Sequence, residues 1–336
     1  MKITRRNFVK LAGIAGLVGL TDVLTGCTNT TTTTQIQQNT AEAERIPPDA
    51  KAKVYFSKKI DAEHLIRLYE RINSDITGKV AIKVHTGEPG APNILSPTMV
   101  QKFQATIPDS AIVETNTLYE GARSTTRKHR RTLKLNGWTF CEVDILDEEG
   151  DVSLPVSKGF HLSEVAVGSH LTRYDSMIVL THFKGHSMSG FGGSLKNIGM
   201  GCASAPKGKR QVHGLEDTGD WVGDATFTEY LADSGKAICD HFGNQMVFIN
   251  VLQRLSVDCD CAGTGAAAPE LPDIGILASK DILAVEQASV DMIYNFPDDR
   301  KKSLIARIEK HSGLRQLTAM EEHKMGTPNY ELIDID

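Results

Sequence analysis

The sequence predicts an α/β fold: a mainly parallel or mixed sheet with helices on both faces, forming a single large domain. From residue 51 onward, short β-branched or apolar runs alternate with longer helical patterns, and no internal repeat or linker divides residues 51–336. The composition agrees, because 40% hydrophobic and 24% charged residues in a chain of 336 can form a core without disulfides. In such sheets, ligands bind at the carboxyl ends of the strands.

The elements follow one another in regular alternation. Strands are predicted at the β-branched runs, and helices where apolar residues recur at spacings of three and four. The predicted strands are Lys53–Phe56, Val80–Val84, Ala111–Glu114, Phe140–Ile145, Ser176–Thr181, Met246–Val251 and Ile274–Leu277. The predicted helices are Ala62–Ile72, Thr98–Thr106, Thr125–Asn136, Thr226–Cys239, Leu283–Tyr294 and Lys301–Glu309, the last continuing to about Met320. Segment 206–224, rich in Gly, Lys and Asp, is either an ordered lid or a flexible insertion.

The N-terminal residues predict export and membrane attachment. Thr4-Arg5-Arg6-Asn7-Phe8 resembles a twin-arginine export signal, and Leu24-Thr25-Gly26-Cys27 resembles a lipobox. We therefore expect a signal peptide at 1–26, a lipidated Cys27 that anchors the chain to a membrane, and a flexible Thr- and Gln-rich tether at 27–50. The twin-arginine export machinery is the expected partner. The expected location is the periplasmic or cell-surface face, and the sequence does not distinguish the inner from the outer membrane.

The charge balance excludes one class of partner. The net charge is −5, which argues against a nucleic-acid binder held by phosphate contacts.

The densest group of reactive side chains follows the strand that ends near Thr181. The predicted catalytic residues are His182, Lys184, His186, Lys196 and Asn197, with Gly192 and Gly193 presenting backbone amides to an anion. His85 and Glu88 follow another strand end and are expected to join them, with Lys83 binding an anionic substrate. Gly185 between the two histidines favours a loop there instead of a helix.

The pattern His182-Phe-Lys-Gly-His, followed by Gly190-Phe-Gly-Gly-Ser-Leu-Lys-Asn-Ile-Gly-Met-Gly, resembles the family called domain of unknown function 362. The resemblance covers roughly residues 51–296. It implies an α/β domain and adds Asn116 and Arg123 as substrate-binding residues, with Arg123 the favoured anion-binding arginine. Many members carry a ferredoxin-type module with four-iron, four-sulfur clusters, but this chain has no C-x-x-C-x-x-C run.

The cysteines in polar turns suggest a metal or iron-sulfur cofactor. The predicted ligands are Cys202, Cys259 and Cys261, with His213, His186 or water as the fourth. Zinc fits a closed, redox-silent site, and an iron-sulfur cluster fits three cysteines plus an unusual ligand. The alternative is that Cys202 is an ordinary buried cysteine and that Cys259 and Cys261 line a loop or form a disulfide.

Three functions remain open at this point. The first is a lipid-anchored redox enzyme that uses a metal or cluster on a small anionic substrate. The second is a lipoprotein that binds a small anionic solute without turnover. The third is a non-redox enzyme that depends on a divalent metal.

Overall fold

The computed structural model describes residues 51–336, so the predicted signal peptide, Cys27 and the tether lie outside the described residues. The strands are β1 (Ala52–Ser57), β2 (Val80–Lys83), β3 (Ser110–Glu114), β4 (Asp144–Ile145), β5 (Asp151–Pro155), β6 (Glu164–Gly168), β7 (Ser176–His182), β8 (Lys184–His186), β9 (Gly190–Gly192), β10 (Met246–Leu252), β11 (Gly275–Ser279) and β12 (Tyr330–Asp334). The helices are α1 (Ala62–Tyr69), α2 (Pro97–Gln104), α3 (Thr126–Leu135), α4 (Ser194–Gly199), α5 (Gly208–Val212), α6 (Leu215–Thr218), α7 (Asp224–Phe242), α8 (Ile282–Tyr294), α9 (Lys302–Lys310) and α10 (Arg315–Glu322).

The central sheet is mixed and has eight strands in the order β12-β1-β11-β10-β7-β2-β3-β4. Strands β10, β7, β2, β3 and β4 pair in parallel, whereas β11 is antiparallel to both of its neighbours. The predicted α/β class is confirmed. The parallel half also delivers the carboxyl ends of β2, β3 and β7 to one edge of the sheet.

Helices cover both faces of the sheet, as predicted. Along β7, Met177 and Val179 pack into one core, and Ile178 and Leu180 pack into the other. This alternation follows from the period of two along a strand. Helices α1 to α3 supply apolar side chains to the second core, and α4, α7, α8 and α10 supply them to the first. Among residues 51–336, no helix combines the length and apolarity needed to cross a bilayer.

Several predicted boundaries were wrong. The strand predicted at Phe140–Ile145 is confined to β4, and the last predicted helix is broken between α9 and α10 at residues 311–314. Ser312 adopts a φ of 52° at this break, a left-handed conformation that ends a helix. The loop expected around Gly185 is strand β8, which pairs with β9. Segment 206–224 contains α5 and α6.

Candidate functional site

A cavity opens where β2, β3 and β7 end at the same edge of the sheet. It encloses about 930 Å³, including the part that is open to solvent. Parallel strands bring their carboxyl ends together, so side chains far apart in the sequence meet here. The wall includes many of the predicted site residues: Lys83, His85, Arg123, Lys184, His186, Gly192, Gly193, Lys196, Asn197 and Cys261.

A buried network of ion pairs joins the ends of β2 and β3. Lys83 Nζ donates to Glu114 Oε2 and to Asn197 Oδ1, both at 3.1 Å. Arg123 Nη1 donates to Glu114 Oε1 at 3.3 Å, and its Nε donates to Glu88 Oε1 at 3.0 Å. Burial alone would raise the pKa of Glu114, but the charges of Lys83 and Arg123 hold it well below its ordinary value. The predicted anion-binding groups Lys83 and Arg123 therefore already have carboxylate partners.

Helix α4 is fixed at its N-terminus by a buried carboxylate. Glu286 Oε1 accepts hydrogen bonds from the backbone N–H of Ser194 and, at 3.2 Å, of Leu195. These two amides would otherwise lack partners, because the first N–H groups of a helix have none within the helix. A Cβ placed on Gly193 would lie 2.1 Å from Glu286 Oε2, so a larger residue would displace this cap.

Asn197 holds α4 against the strand ends. Its Nδ2 donates to the carbonyl oxygens of Lys83 and Leu180 at 3.2 Å and to Thr181 Oγ1 at 2.9 Å. Its Oδ1 accepts from the Lys83 ammonium. These contacts use both amide hydrogens, so in this arrangement Asn197 positions the helix.

His182 anchors the turn that carries the two neighbouring cysteines. Its Nδ1 lies 2.8 Å from Asp260 Oδ2, and its Nε2 lies 2.7 Å from the carbonyl oxygen of Gln253. Asp260 stands between Cys259 and Cys261 in the sequence, and its side chain points inward. Burial alone would raise the pKa of Asp260, but the charges of His182 and Lys184 lower it. His182 is buried away from the cavity and holds the cysteine turn in place.

Cys259, Cys261 and His186 form a group that could hold a metal ion. One ligand atom from each residue lies within 4.8 Å of the other two. The hydrogen bond between the sulfurs lowers the pKa of Cys259 well below its ordinary value and raises the pKa of Cys261 well above it. The Lys196 charge also favours the Cys259 thiolate. The pair therefore combines a thiolate with a thiol that faces the cavity.

The ring of His186 is oriented by its own turn. Its Nδ1 accepts from the backbone N–H groups of Met188 and Ser189, both at 3.1 Å. Burial lowers the pKa of His186 well below its ordinary value, and the Lys196 charge adds to this effect. The neutral ring therefore carries its proton on Nε2. For Nε2 to bind a metal, the proton must move to Nδ1, where Ser189 Oγ at 3.0 Å can accept it.

Cys202 lies apart from this group among residues 51–336. It is completely buried in the hydrophobic core beneath α4. Burial raises the pKa of its thiol to about 12, so it remains protonated. The structure therefore does not place the three predicted ligands Cys202, Cys259 and Cys261 together, and His186 takes the place expected for Cys202.

Lys196 lines the cavity without a carboxylate partner, and the negative charge that acts on it is that of the Cys259 thiolate. Within the described part of the chain, its ammonium makes no hydrogen bond or ion pair. Its stem packs near Gly192, where a Cβ would lie 3.3 Å from Lys196 Cδ and 3.6 Å from Lys184 Cε. Lys184 differs, because its Nζ donates to the carbonyl oxygen of His182 at 2.6 Å and lies 3.4 Å from Asp260. Lys196 is thus the group best placed to bind an anion.

Three of the other predicted residues support the walls of the cavity. His85 Nδ1 accepts from Gly87 N at 3.2 Å and lies 3.4 Å from Glu114 Oε1. Glu88 accepts from the Tyr119 hydroxyl at 2.6 Å. Asn116 Nδ2 donates to Asp147 Oδ1 at 3.2 Å, behind the wall.

The sequence reasoning missed Glu114, Asp260 and Lys209. Glu114 was identifiable, because it ends a predicted strand beside the strand that ends at Lys83. For Asp260 the sequence offered a weaker indication than for Glu114, namely its position between two cysteines. Lys209 lies in segment 206–224, where no local pattern indicates that α5 reaches the cavity.

The fold and this site define a class of α/β protein with a polar cavity at the strand ends. The chain belongs to the family described as Domain of unknown function (DUF362), whose model matches residues 80–291. The matched region contains the cysteine turn, α4 and Lys209. The resemblance to this family is thereby confirmed.

Two solved structures are similar to this chain, both at low identity. The lactate racemase apoprotein from Thermoanaerobacterium thermosaccharolyticum matches with 12% identity and a TM-score of 0.41, over 74% of this chain and 58% of that one. A protein from Thermotoga maritima matches with 11% identity and a TM-score of 0.38, over 76% of this chain and 57% of that one. The chain thus spans less than two thirds of either relative. No curated protein matches.

Proposed function

We propose that this chain is a metal-dependent enzyme that acts on a small anionic substrate. One observation carries the proposal: the thiol pair Cys259 and Cys261, the imidazole of His186 and the unpaired ammonium of Lys196 meet at one cavity. Thiolate and imidazole are ligands for thiophilic divalent ions. An ammonium without a carboxylate partner favours an anion beside them.

The donor set fits a single ion better than the cluster common in the family. A four-iron cluster is usually held by four thiolates, whereas the described residues bring only two cysteines together. Two cysteines and one histidine match a zinc site that keeps one position open for substrate or water. An ion bound there would polarise a substrate oxygen. Lys196 would bind the anionic group, and the ion pairs around Glu114 would keep the wall rigid.

Metal content and a visible spectrum test this proposal. The full chain is purified anaerobically, together with a Cys259→Ser/Cys261→Ser double variant. Cys141→Ser is the matched control, because Cys141 lies in the core of the opposite face. We expect a stoichiometric divalent ion in the wild type and in Cys141→Ser, and its loss in the double variant.

Other outcomes separate the remaining functions. Iron with broad absorbance near about 400 nm would favour the redox form with a sulfide-bridged cluster. Loss of metal in Cys202→Ala would restore the ligand predicted from the sequence. A folded, metal-free wild type would contradict the proposal and leave a lipoprotein that binds an anionic solute, which Lys196 equally supports.

Export and lipid attachment are part of the same proposal and rest on residues 1–27 alone. We expect the chain to fractionate with membranes and to face the periplasm or the cell surface. Cys27→Ala should release it from the membrane, and Arg5→Lys/Arg6→Lys should retain it in the cytoplasm. Membrane association of Cys27→Ala would contradict the lipid anchor.

A further inference from the structure

Lys209 is a buried amine in the wall of the same cavity. Its Nζ donates to Thr115 Oγ1 and to the carbonyl oxygen of Ala203, both at 2.6 Å. Thr115 Oγ1 in turn donates to the carbonyl oxygen of Gly201 at 3.0 Å, so it acts as an acceptor toward Lys209. Nζ has three positions for partners, and the described residues occupy two. The third is available to a molecule in the cavity.

The backbone around Lys209 fixes its position. Helix α5 begins at Gly208, where a Cβ would lie 1.8 Å from the carbonyl oxygen of Ala166 in β6. Only glycine permits this close approach of helix and strand. The Lys209 backbone N–H also donates to the carbonyl oxygen of Ser204 at 2.8 Å. The amine is therefore held in place before any ligand arrives.

The burial of Lys209 and the lack of an adjacent carboxylate favour a reactive amine. Within residues 51–336, no carboxylate oxygen lies within ion-pair distance of its Nζ. The carboxylate of Asp147 acts on it only at longer range and already accepts hydrogen bonds from Asn116 and Ala205. Burial lowers the pKa of Lys209 to about 8; the carboxylates of Asp147 and Glu114 oppose this effect, and the Lys83 and Arg123 charges add to it. A sizeable fraction is therefore a neutral nucleophile near pH 8.

We propose that Lys209 forms an imine with the carbonyl carbon of a small 2-oxo acid whose carboxylate binds to Lys196. Both amines line one cavity, Lys209 with an open position on Nζ and Lys196 with no carboxylate partner. The inference rests on the proposed function for its anionic substrate but not for its metal. It narrows the substrate class to anions that carry a ketone or aldehyde.

Imine formation requires only the Lys209 amine, the carbonyl group of the 2-oxo acid and water. The lone pair of Nζ attacks the carbonyl carbon, and the π electron pair of the carbonyl moves to its oxygen. That oxygen takes a proton from water, and the nitrogen loses one to water. The resulting carbinolamine then expels its hydroxyl group as water, which leaves a carbon–nitrogen double bond on Lys209.

Reductive trapping tests the inference on the full chain. The protein is incubated with pyruvate and sodium cyanoborohydride, which reduces an imine to a stable carboxyethyl amine, and adducts are located by peptide mass spectrometry. We expect labelling of Lys209 at least about tenfold above that of Lys134, since Lys134 is exposed on α3 and lies outside the cavity. Lys196→Met should lower the yield, and acetone, which lacks the carboxylate, should label Lys209 weakly.

Two variants keep the result interpretable. Lys209→Arg preserves the cation and its donors but cannot form an imine, so its total label should fall to the level of the exposed lysines while its circular dichroism is unchanged. The Cys259→Ser/Cys261→Ser variant should still be trapped at Lys209, which separates this inference from the metal site. Equal labelling of Lys209 and Lys134 in folded wild type overturns the proposal. So does undiminished total label in Lys209→Arg.

Discussion

The two sides of the cavity wall differ in whether their buried cations have a carboxylate partner. On the side built by β2 and β3, Lys83 and Arg123 both donate to the same carboxylate, Glu114. On the side built by α4 and α5, Lys196 has no carboxylate partner among the described residues, and Lys209 has only neutral acceptors. Both sides line one cavity and both are rich in cations.

This difference distinguishes the side chains that hold the fold together from those that are available to bind a ligand. When a buried charge has a partner charge and hydrogen bonds, these interactions offset the cost of removing it from water. Such a charge can hold neighbouring elements in place without binding a ligand. A cation that faces a cavity without a counter-charge lowers the free energy of an anion placed beside it. Residue type alone therefore does not identify the binding groups, because lysines occur on both sides.

Removal of Glu114 is the strongest test of the paired side. Glu114→Gln leaves Lys83 and Arg123 without the charge between them, so we expect it to lower the free energy of unfolding by about 3–5 kcal/mol. Urea denaturation followed by circular dichroism measures the change. Glu120→Gln is the matched control, because Glu120 is exposed and lies 3.8 Å from the equally exposed Lys128. Equal stability of the two variants would show that the network is not structural.

The sequence was sufficient for six strands of the central sheet. Alternating strand and helix patterns predicted β1, β2, β3, β7, β10 and β11 to within about two residues, because their apolar runs are continuous and bounded by polar turns. It was insufficient for β8, β9 and α4. These elements are short and rich in glycine, and their few apolar residues form no continuous run. They form because the chain is held between the cysteine turn and Glu286.

The site was predictable by location but not by role. His182, Lys184 and His186 follow a strand end, and the structure brings Lys184 and His186 to the cavity at the carboxyl edge. Which nitrogen or ammonium is free depends on contacts made across long sequence separations, such as that of His182 with Asp260. A one-dimensional pattern contains no such information, so Cys202 was preferred over His186 as a ligand.

The buried carboxylate under α4 makes stability depend on pH. Burial raises the pKa of Glu286 to about 7, although the amides of Ser194 and Leu195 oppose this effect. The folded state thus holds a proton that the unfolded state loses near pH 4.3. The contribution of Glu286 to the free energy of unfolding is complete below about pH 4.3. It is lost as the pH rises through about 7, which lowers the free energy of unfolding by about 3 kcal/mol.

Comparison with Glu286→Gln isolates this effect. The free energy of unfolding is measured in urea at pH 5, 6, 7 and 8 for the wild type and the variant. We expect the difference between them to change steadily with pH, because the glutamine cannot titrate. A constant difference would mean that Glu286 is ionised throughout, as fully paired as Glu114 on the opposite side.

The next, smaller effect concerns the cysteine pair, and it is a dependence of zinc affinity on pH. Cys259 is already a thiolate, whereas Cys261 keeps its proton because its pKa is raised by the hydrogen bond to Cys259. Metal binding must displace that proton, so the affinity for zinc should rise about tenfold per pH unit between about pH 7 and 9. Competition with a chromophoric chelator measures it. Cys261→Ser should bind weakly and show a flatter profile.

The smallest expected effect on stability belongs to Lys196, and it separates the two sides most clearly. Lys196→Met removes a cation that has no carboxylate partner and keeps a stem that packs near Gly192, so the free energy of unfolding should change by less than about 0.5 kcal/mol. Added pyruvate should raise the melting temperature of the wild type but not of the variant, because an anion stabilises only the state that binds it. A large loss of stability without pyruvate would place Lys196 with Lys83, among the charges that hold the fold together.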